Sequence, residues 1–430
     1  MKRSAAAFAA IFLAATVAHT SAQPQLAGPK PPASSASQPI QMGKPQTASP
    51  ADLLFRQGEF EKARAAYAAV PRSSPQYEAA QRQLGAIALY QNHLGEAEAL
   101  LNNAHALNPA DMDVVGLLTE TMHREGRFAE MAQLLHQLGH LDREAEFRIF
   151  GKATPYRMPA HQGTATVEMQ FSDPLPYVLA KVNGFEGLFL IDTSAPEVIL
   201  DPEFALYSHV QTAPQPKGAR IRFGFGRVGQ FTMTGVETDD VPVMLLSTRG
   251  LTPFARNKRV AGVIGTEFLS HFRPTIDYVH SRLVLEPHDA PAHTAGSIAE
   301  VPFWFVGDHF LVARGRLDQG REQMFLIDSG MAGTTFAAPK STLQDANIPI
   351  PVPQGPARNV IGAPPTALFP ITRLSLGTLS QTNLKGNYGS FPPLLEQGLG
   401  MHIGGMVSHG FFVPYAVTFD FVRMTIGFRK

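Results

Sequence analysis

At 430 residues, 44% of them hydrophobic and 17% charged, the chain is too long for one ordinary domain and too apolar for wholesale disorder or a fibrous fold. Lysine plus arginine equals aspartate plus glutamate at 36 each, which argues against the basic footprint of a nucleic-acid binder and favours small uncharged or peptide-like substrates. With no cysteine, disulfides, thiolate metal sites, a cysteine nucleophile and lipid attachment through an N-terminal cysteine are all excluded.

In chain order, Lys2 and Arg3 precede an uncharged stretch, residues 5–18, and the small residues Thr20, Ser21 and Ala22. This is the layout of an export signal over residues 1–22, cleaved after Ala22; the apolar run is shorter than the roughly 18 to 20 residues needed to span a bilayer. No later segment is long and apolar enough to span, so the mature protein is expected in the periplasm or outside the cell. Residues 23–50 turn to Pro, Ala, Ser, Gln and Gly with few large apolar residues, and read as a disordered tether.

Between 51 and 150 the sequence repeats. GEFEKA at 58–63, NHLGEA at 92–97 and GRFAEM at 126–131 start 34 residues apart, and the same step relates Phe60, Leu94 and Phe128, then Tyr67, Leu101 and Leu135. The period and its pattern of small and apolar residues resemble tetratricopeptide repeats, which implies about three helical pairs. A concave helical face of that kind suits docking of a protein partner or presentation of substrate.

After Phe150 the texture changes to short β-rich runs cut by Gly and Pro, as at 164–171, 188–191, 220–225, 282–286 and 303–305. Within this region one pattern occurs twice. EGLFLIDTSAPEVIL (186–200) and EQMFLIDSGMAGTTF (322–336) both carry an apolar strand ending in a carboxylate, Asp192 or Asp328, then a hydroxyl residue. Each is followed by an element of equal length, GVIGTEFLSHFRPTID (262–277) and GMVSHGFFVPYAVTFD (405–420), with an aromatic residue next.

These paired motifs resemble the retropepsin-like aspartic proteases over about residues 164–430. The marks are Asp192-Thr193-Ser194 with Val263-Ile264-Gly265, and Asp328-Ser329-Gly330 with Met406-Val407-Ser408. The resemblance implies a multidomain chain: a helical array, then an all-β, two-lobed acid-protease fold of paired barrels, with lobes at 160–290 and 296–430. It implies a catalytic dyad of Asp192 and Asp328, hydroxyls of Thr193 and Ser329 bonded across the lobes, close backbone approach at Ser194 and Gly330, and packing beneath the dyad by 263–265 and 406–408. No cofactor is expected, and a peptide or protein substrate would lie between the lobes. Two carboxyls about 3 Å apart cannot both ionise, so one proton would be shared and acidic pH would favour activity; which carboxyl holds it is not decided by sequence.

Ser194 and Ser408 stand where the family has Gly. Both favour an alternative: an inactive peptide-binding or adaptor protein that keeps the fold. A substrate-covering flap is expected at 220–231, with a mobile tip at Gly224, Gly226 and Gly229, and a counterpart at 355–366. GFGRVG (224–229) matches the dinucleotide fingerprint only formally, because residues 230–242 read as strand and turn and not as a helix. His271, His280, His288 and His293 lack ligand spacing and read as surface residues, and no GxSxG elbow occurs.

Overall fold

The computed structural model describes residues 48–159, 163–214, 224–291, 296–352, 366–392 and 394–430. The expected export signal, nearly all of the tether and most of the second flap segment lie outside these residues. Among the described residues, no helix is long and apolar enough to cross a membrane.

Among the described residues seven helices come first: α1 (Pro50–Arg56), α2 (Phe60–Ala68), α3 (Tyr77–Tyr90), α4 (Leu94–Leu107), α5 (Met112–Arg124), α6 (Phe128–Gln137) and α7 (Leu141–Arg148). The repeated sequence positions are where helices end and begin again. Gly58, Asn92 and Gly126 all take positive φ, the left-handed turn that terminates a helix, and α2, α4 and α6 start two residues later. Phe60 and Phe128 are buried, as are Tyr67, Leu101 and Leu135. A side chain on Gly85 would collide with Leu101, so the small residue sets how closely α3 and α4 cross.

The β region consists of two halves with the same wiring. The first holds β1 (Ala165–Phe171), β2 (Tyr177–Val182), β3 (Phe185–Ile191), β4 (Val198–Leu200), β5 (Gln211–Thr212), β6 (Gly224–Met233), β7 (Val236–Leu245), β8 (Gly262–Ile264), β9 (Arg273–Asp277) and β10 (Arg282–Glu286). The second holds β11 (Ser297–Val306), β12 (Phe310–Leu317), β13 (Gln323–Asp328), β14 (Phe336–Ala338), β15 (Ala367–Leu376), β16 (Leu379–Tyr388), β17 (Gly405–Ser408), β18 (Ala416–Asp420) and β19 (Thr425–Arg429). β1 alternates buried and exposed residues, as a half-covered strand does, whereas β13 is buried throughout, which is why its middle residues, Met324 to Ile327, form a continuous apolar run.

In both halves the strand that delivers the carboxylate runs parallel to the later apolar element: β3 beside β8, and β13 beside β17. The strand after each carboxylate then pairs antiparallel with that same element, β4 with β8 and β14 with β17. An antiparallel sheet in the order β1-β10-β9-β18-β19-β11 joins the halves. At its centre Thr275 and Thr418, which hold the same place in the two 16-residue elements, share a hydrogen bond between hydroxyls at 2.7 Å. The β region therefore has a pseudo-twofold axis.

The helices are not a separate body. Phe55, Phe60, Tyr67, Ile87 and Tyr90 form one core with Val306, Phe310, Met324, Leu326 and Met406 of the second half. The last turn of α5 reaches both halves. His123 Nε2 lies 3.0 Å from Glu197 of the first half, and Arg124 Nη2 donates to the carbonyls of Phe305 and Gly307 in the second.

Candidate active site

Asp192 and Asp328 sit just past or at the ends of β3 and β13, where an apolar strand runs out and the chain must turn. Both are buried, at 2% and 0% exposure. Each turn closes on its own carboxyl: the Ser194 amide donates to Asp192 Oδ1, and the Gly330 amide to Asp328 Oδ1, both at 2.8 Å. The two turns then lock to each other. Thr193 Oγ1 donates to the Ile327 carbonyl at 3.1 Å and accepts from the Ser329 amide at 3.1 Å. In mirror fashion, Ser329 Oγ donates to the Ile191 carbonyl at 3.2 Å and accepts from the Thr193 amide at 3.0 Å. Four buried hydrogen bonds thus fix one turn against the other, and loss of either hydroxyl removes two of them.

The two small residues after the hydroxyls behave differently. Gly330 lies so close to Asp192 that no β-carbon could be placed there. Ser194 has a side chain, and its Oγ donates to Asp192 Oδ1 at 2.8 Å beside the bond from its own amide. Its hydroxyl also acts on Asp328. Asp328 Oδ2 is buried with no hydrogen-bond partner among the described residues.

Burial raises both carboxyls above their ordinary range. For Asp192 the rise is opposed by the Ser194 amide and hydroxyl and by the charge of His309. For Asp328 burial and the Asp192 charge together push it up to about 8. The side chain of Tyr278, the aromatic residue that follows the first 16-residue element, feels both carboxyls.

Beneath the turns, Val263, Ile264, Met406 and Val407 are fully buried. Gly265 faces the carbonyls of Ala195, Pro196 and Glu197 so closely that a side chain would overlap them, and Thr266 Oγ1 supports the Thr193 carbonyl at 2.9 Å. Ser408 fills the corresponding place in the second half. Its Oγ donates to the Met331 carbonyl at 2.5 Å and its amide to the Thr335 carbonyl, so the extra atoms are bonded rather than squeezed.

The glycine-rich segment departs from the flap expectation. Gly224, Gly226 and Gly229 all lie within β6, none at positive φ, and Gly226 pairs with Thr212 of β5. The physical reason for glycine at Gly226 is close approach: a β-carbon would come within 2.8 Å of the Gln211 carbonyl. Residues 215–223, between β5 and β6, lie outside the described residues, and nearly all of 355–366 lies outside them too. The strand continues through a turn at Thr234 and Gly235 into β7, and no helix follows the GFGRVG segment.

Of the scattered histidines, His280 and His288 are exposed, and His293 lies outside the described residues. His271 is half-buried: its ring packs 4.0 Å from that of Tyr156, and desolvation pulls it down to about 4. Sequence reasoning missed His309, Tyr278, Thr266 and His123. Only Tyr278 left a signal, as the aromatic that follows the repeated element. No group of three or more ligating side chains that could hold a metal occurs among the described residues.

No protein-family model matches the chain, and no curated protein matches it. Among solved structures, a retropepsin-like aspartic protease from Rickettsia conorii is similar at 18% identity and a TM-score of 0.22, over 31% of this chain and 96% of that one. A likeness at that TM-score carries no argument by itself.

Proposed function

We propose that the β region is a two-lobed aspartic-type endopeptidase in which Asp192 and Asp328 share one proton and hydrolyse peptide bonds through an activated water. The observation that carries this reading is the reciprocal lock of Thr193 and Ser329, which holds two buried carboxyls at the pseudo-twofold axis. A structural role alone does not require paired buried carboxylates, since replacing them by apolar side chains would remove their desolvation cost.

The environments of the two carboxyls support a division of labour. Asp192 accepts both the amide and the hydroxyl of Ser194, bonds that favour its ionised form. Asp328 is burdened by the neighbouring charge and keeps the proton. Asp192 takes a proton from water as the oxygen attacks the carbonyl carbon, and Asp328 donates its own to the carbonyl oxygen. Collapse of the tetrahedral intermediate breaks the C–N bond, with a proton passing to the departing amine. Because Asp328 titrates near 8, the singly protonated dyad extends from acidic into neutral pH.

The helical pairs are read as tetratricopeptide-like, and the whole chain as exported by its N-terminal segment to the periplasm or beyond. A second reading is favoured by one observation: the Ser194 hydroxyl occupies Asp192 Oδ1, as a silent peptide-binding groove could tolerate. Cleavage of a mixed peptide library between about pH 3 and 9, with Asp192→Asn and Asp328→Asn beside the wild type, separates the two. Loss of cleavage in both variants is expected. A folded wild type that cleaves nothing would leave the binding groove.

A further inference from the structure

The last turn of α5 meets the first half of the β region at a buried group of one base and two acids. His123 Nε2 lies 3.0 Å from Glu197 Oε1, and Nδ1 lies 3.8 Å from Glu267 Oε2, with the three side chains 9%, 14% and 3% exposed. Phe128 of α6 stacks on the ring at 5.0 Å and Phe147 of α7 meets it edge-on at 6.1 Å. The fold itself asks for neither acid. At the matching places of the second half, within residues 322–336 and 405–420, stand Gly333 and Gly410. Both acids belong only to the half that receives His123.

Each acid is also tied to the turn that carries Asp192. Glu197 lies on the chain as it leaves that turn toward β4, and Glu267 belongs to the short helix Thr266–Ser270 that braces it. The Thr266 amide donates to the Ala195 carbonyl and the Glu267 amide to the Pro196 carbonyl, both at 2.9 Å, beside the bond from Thr266 Oγ1 to the Thr193 carbonyl. A shift of either acid therefore passes directly into the turn.

Two ring nitrogens facing two carboxyls set a proton requirement. A neutral imidazole has one N–H, so its other nitrogen would point a lone pair at a carboxyl oxygen. The group is favourable only with one further proton, on Nδ1 or on Glu267, and that proton belongs to the pair. His123 Nδ1 and Glu267 Oε1 are buried with no hydrogen-bond partner among the described residues, so no other bond there offsets its loss.

We infer that His123 is a positioning residue for the Asp192 turn: with Glu197 and Glu267 it holds one removable proton, and loss of that proton loosens the bonds from Thr266 and Glu267 to residues 195 and 196. As regulation of cleavage this rests on the aspartic-protease reading above. The other groups around the ring are Glu120 on its own helix, bonded to Arg124 at 2.7 Å, and, on the far side of Glu267, Tyr156 and His271, with His288 beyond. Burial opposes the charge of His123, but the bond to Glu197 and the charges of Glu267 and Glu197 hold it up to about 9. Burial pushes Glu267 up to about 8, against the charge of His123. Both exceed the ordinary values of 6.5 and 4.5, so the folded group keeps protons that the unfolded chain has released, and its grip declines as pH rises through about 8 to 9. The turn is braced in acidic and neutral solution and loosens in alkaline solution.

The test uses the full chain, both as wild type and as Asp328→Asn, in which the dyad's own change near pH 8 is removed. Pulsed amide exchange at single-residue resolution, corrected for intrinsic rates, gives the protection of the Thr266 and Glu267 amides. In both chains protection is expected to fall at least about tenfold between about pH 7 and about pH 10, whereas Glu267→Gln, which keeps the shape but cannot ionise, should stay level. His123→Gln should lower protection already at about pH 7. Level protection in Asp328→Asn, an unchanged fall in Glu267→Gln, or undiminished protection in His123→Gln overturns the inference. Should the variants at 123 and 267 fail to fold, the ring resonances of His123 in the wild type decide: a midpoint well above the ordinary 6.5 is required, and one at or below it overturns the inference. None of these outcomes involves cleavage, so a wild type that cleaves no peptide sinks the protease reading and leaves the proton-dependent brace standing.

Discussion

A β-carbon on Gly330 would overlap the carboxyl of Asp192. The residue after Ser329 in one half therefore forms part of the wall around the Asp192 carboxyl of the other. Gly330→Ala is expected to lower kcat by at least about a hundredfold through displacement of Asp192, at little cost in overall fold. Steady-state kinetics with near-ultraviolet circular dichroism checks both parts.

Ser194 is the converse case. Ser194→Gly removes one of two bonds to Asp192 Oδ1 and keeps the amide. Cleavage should persist, with the acid limb of kcat/KM moved up by roughly one unit, since a bond to the ionised form is lost. Complete loss of cleavage would show the hydroxyl to be part of the reaction.

Asp328 makes stability depend on pH in a definite direction. It titrates near 8 when folded, against roughly 4 when unfolded. Between those values the folded chain holds a proton that the unfolded chain has released, so stability falls as pH rises. The midpoint of urea unfolding should drop from about pH 4 to about pH 8, and Asp328→Asn should flatten that slope. Above about pH 8 cleavage should be lost as the second carboxyl ionises.

Gly265 and Ser408 occupy matching places with opposite tolerances. Gly265→Ser must push against the carbonyls of Ala195, Pro196 and Glu197 and is expected to destabilise by about 3 kcal/mol or more. Ser408→Gly loses the bond to the Met331 carbonyl and should cost about 1–2 kcal/mol. Urea denaturation of the two variants gives the comparison directly.

Arg124 has a nearly buried side chain and is bonded to Glu120, Leu89, Phe305 and Gly307. Arg124→Met leaves Glu120 without its bonded cation and takes one donor from each of three carbonyls, for an expected loss of ~3–5 kcal/mol. Limited proteolysis should then cut between the helices and the β region earlier than in the wild type.

The two FLID segments could be read from sequence because β3 and β13 run into the buried centre of each half, where side chains on both faces of the strand are apolar and the closing carboxylate stands out against them. Thr193 and Ser329 followed from the same pattern. His309 could not be found this way: a histidine in a Gly-Asp-His turn looks like a surface residue until the β12–β13 register is known. The β6 glycines misled because a glycine that admits a neighbouring backbone and one that frees a loop tip are the same letter. The packing of α1 to α3 onto the second half was also hidden, since the apolar face of a helix reads alike whether it meets another helix or a sheet.

The sheet joining the halves also decides how the molecule is held in one piece. Among the described residues β1 pairs with β2 and β10 of its own half, and β11 with β12 and β19 of its own. Neither half lends a strand to the other there; the sheet contact between them is the short meeting of β9 with β18. The peptide that connects β10 to β11 thus acts chiefly by keeping two complete partners at high local concentration. A chain cut there should behave as a heterodimer whose subunits find each other through Thr275, Thr418 and the interlocked turns of Thr193 and Ser329, with α5 as a strap across both.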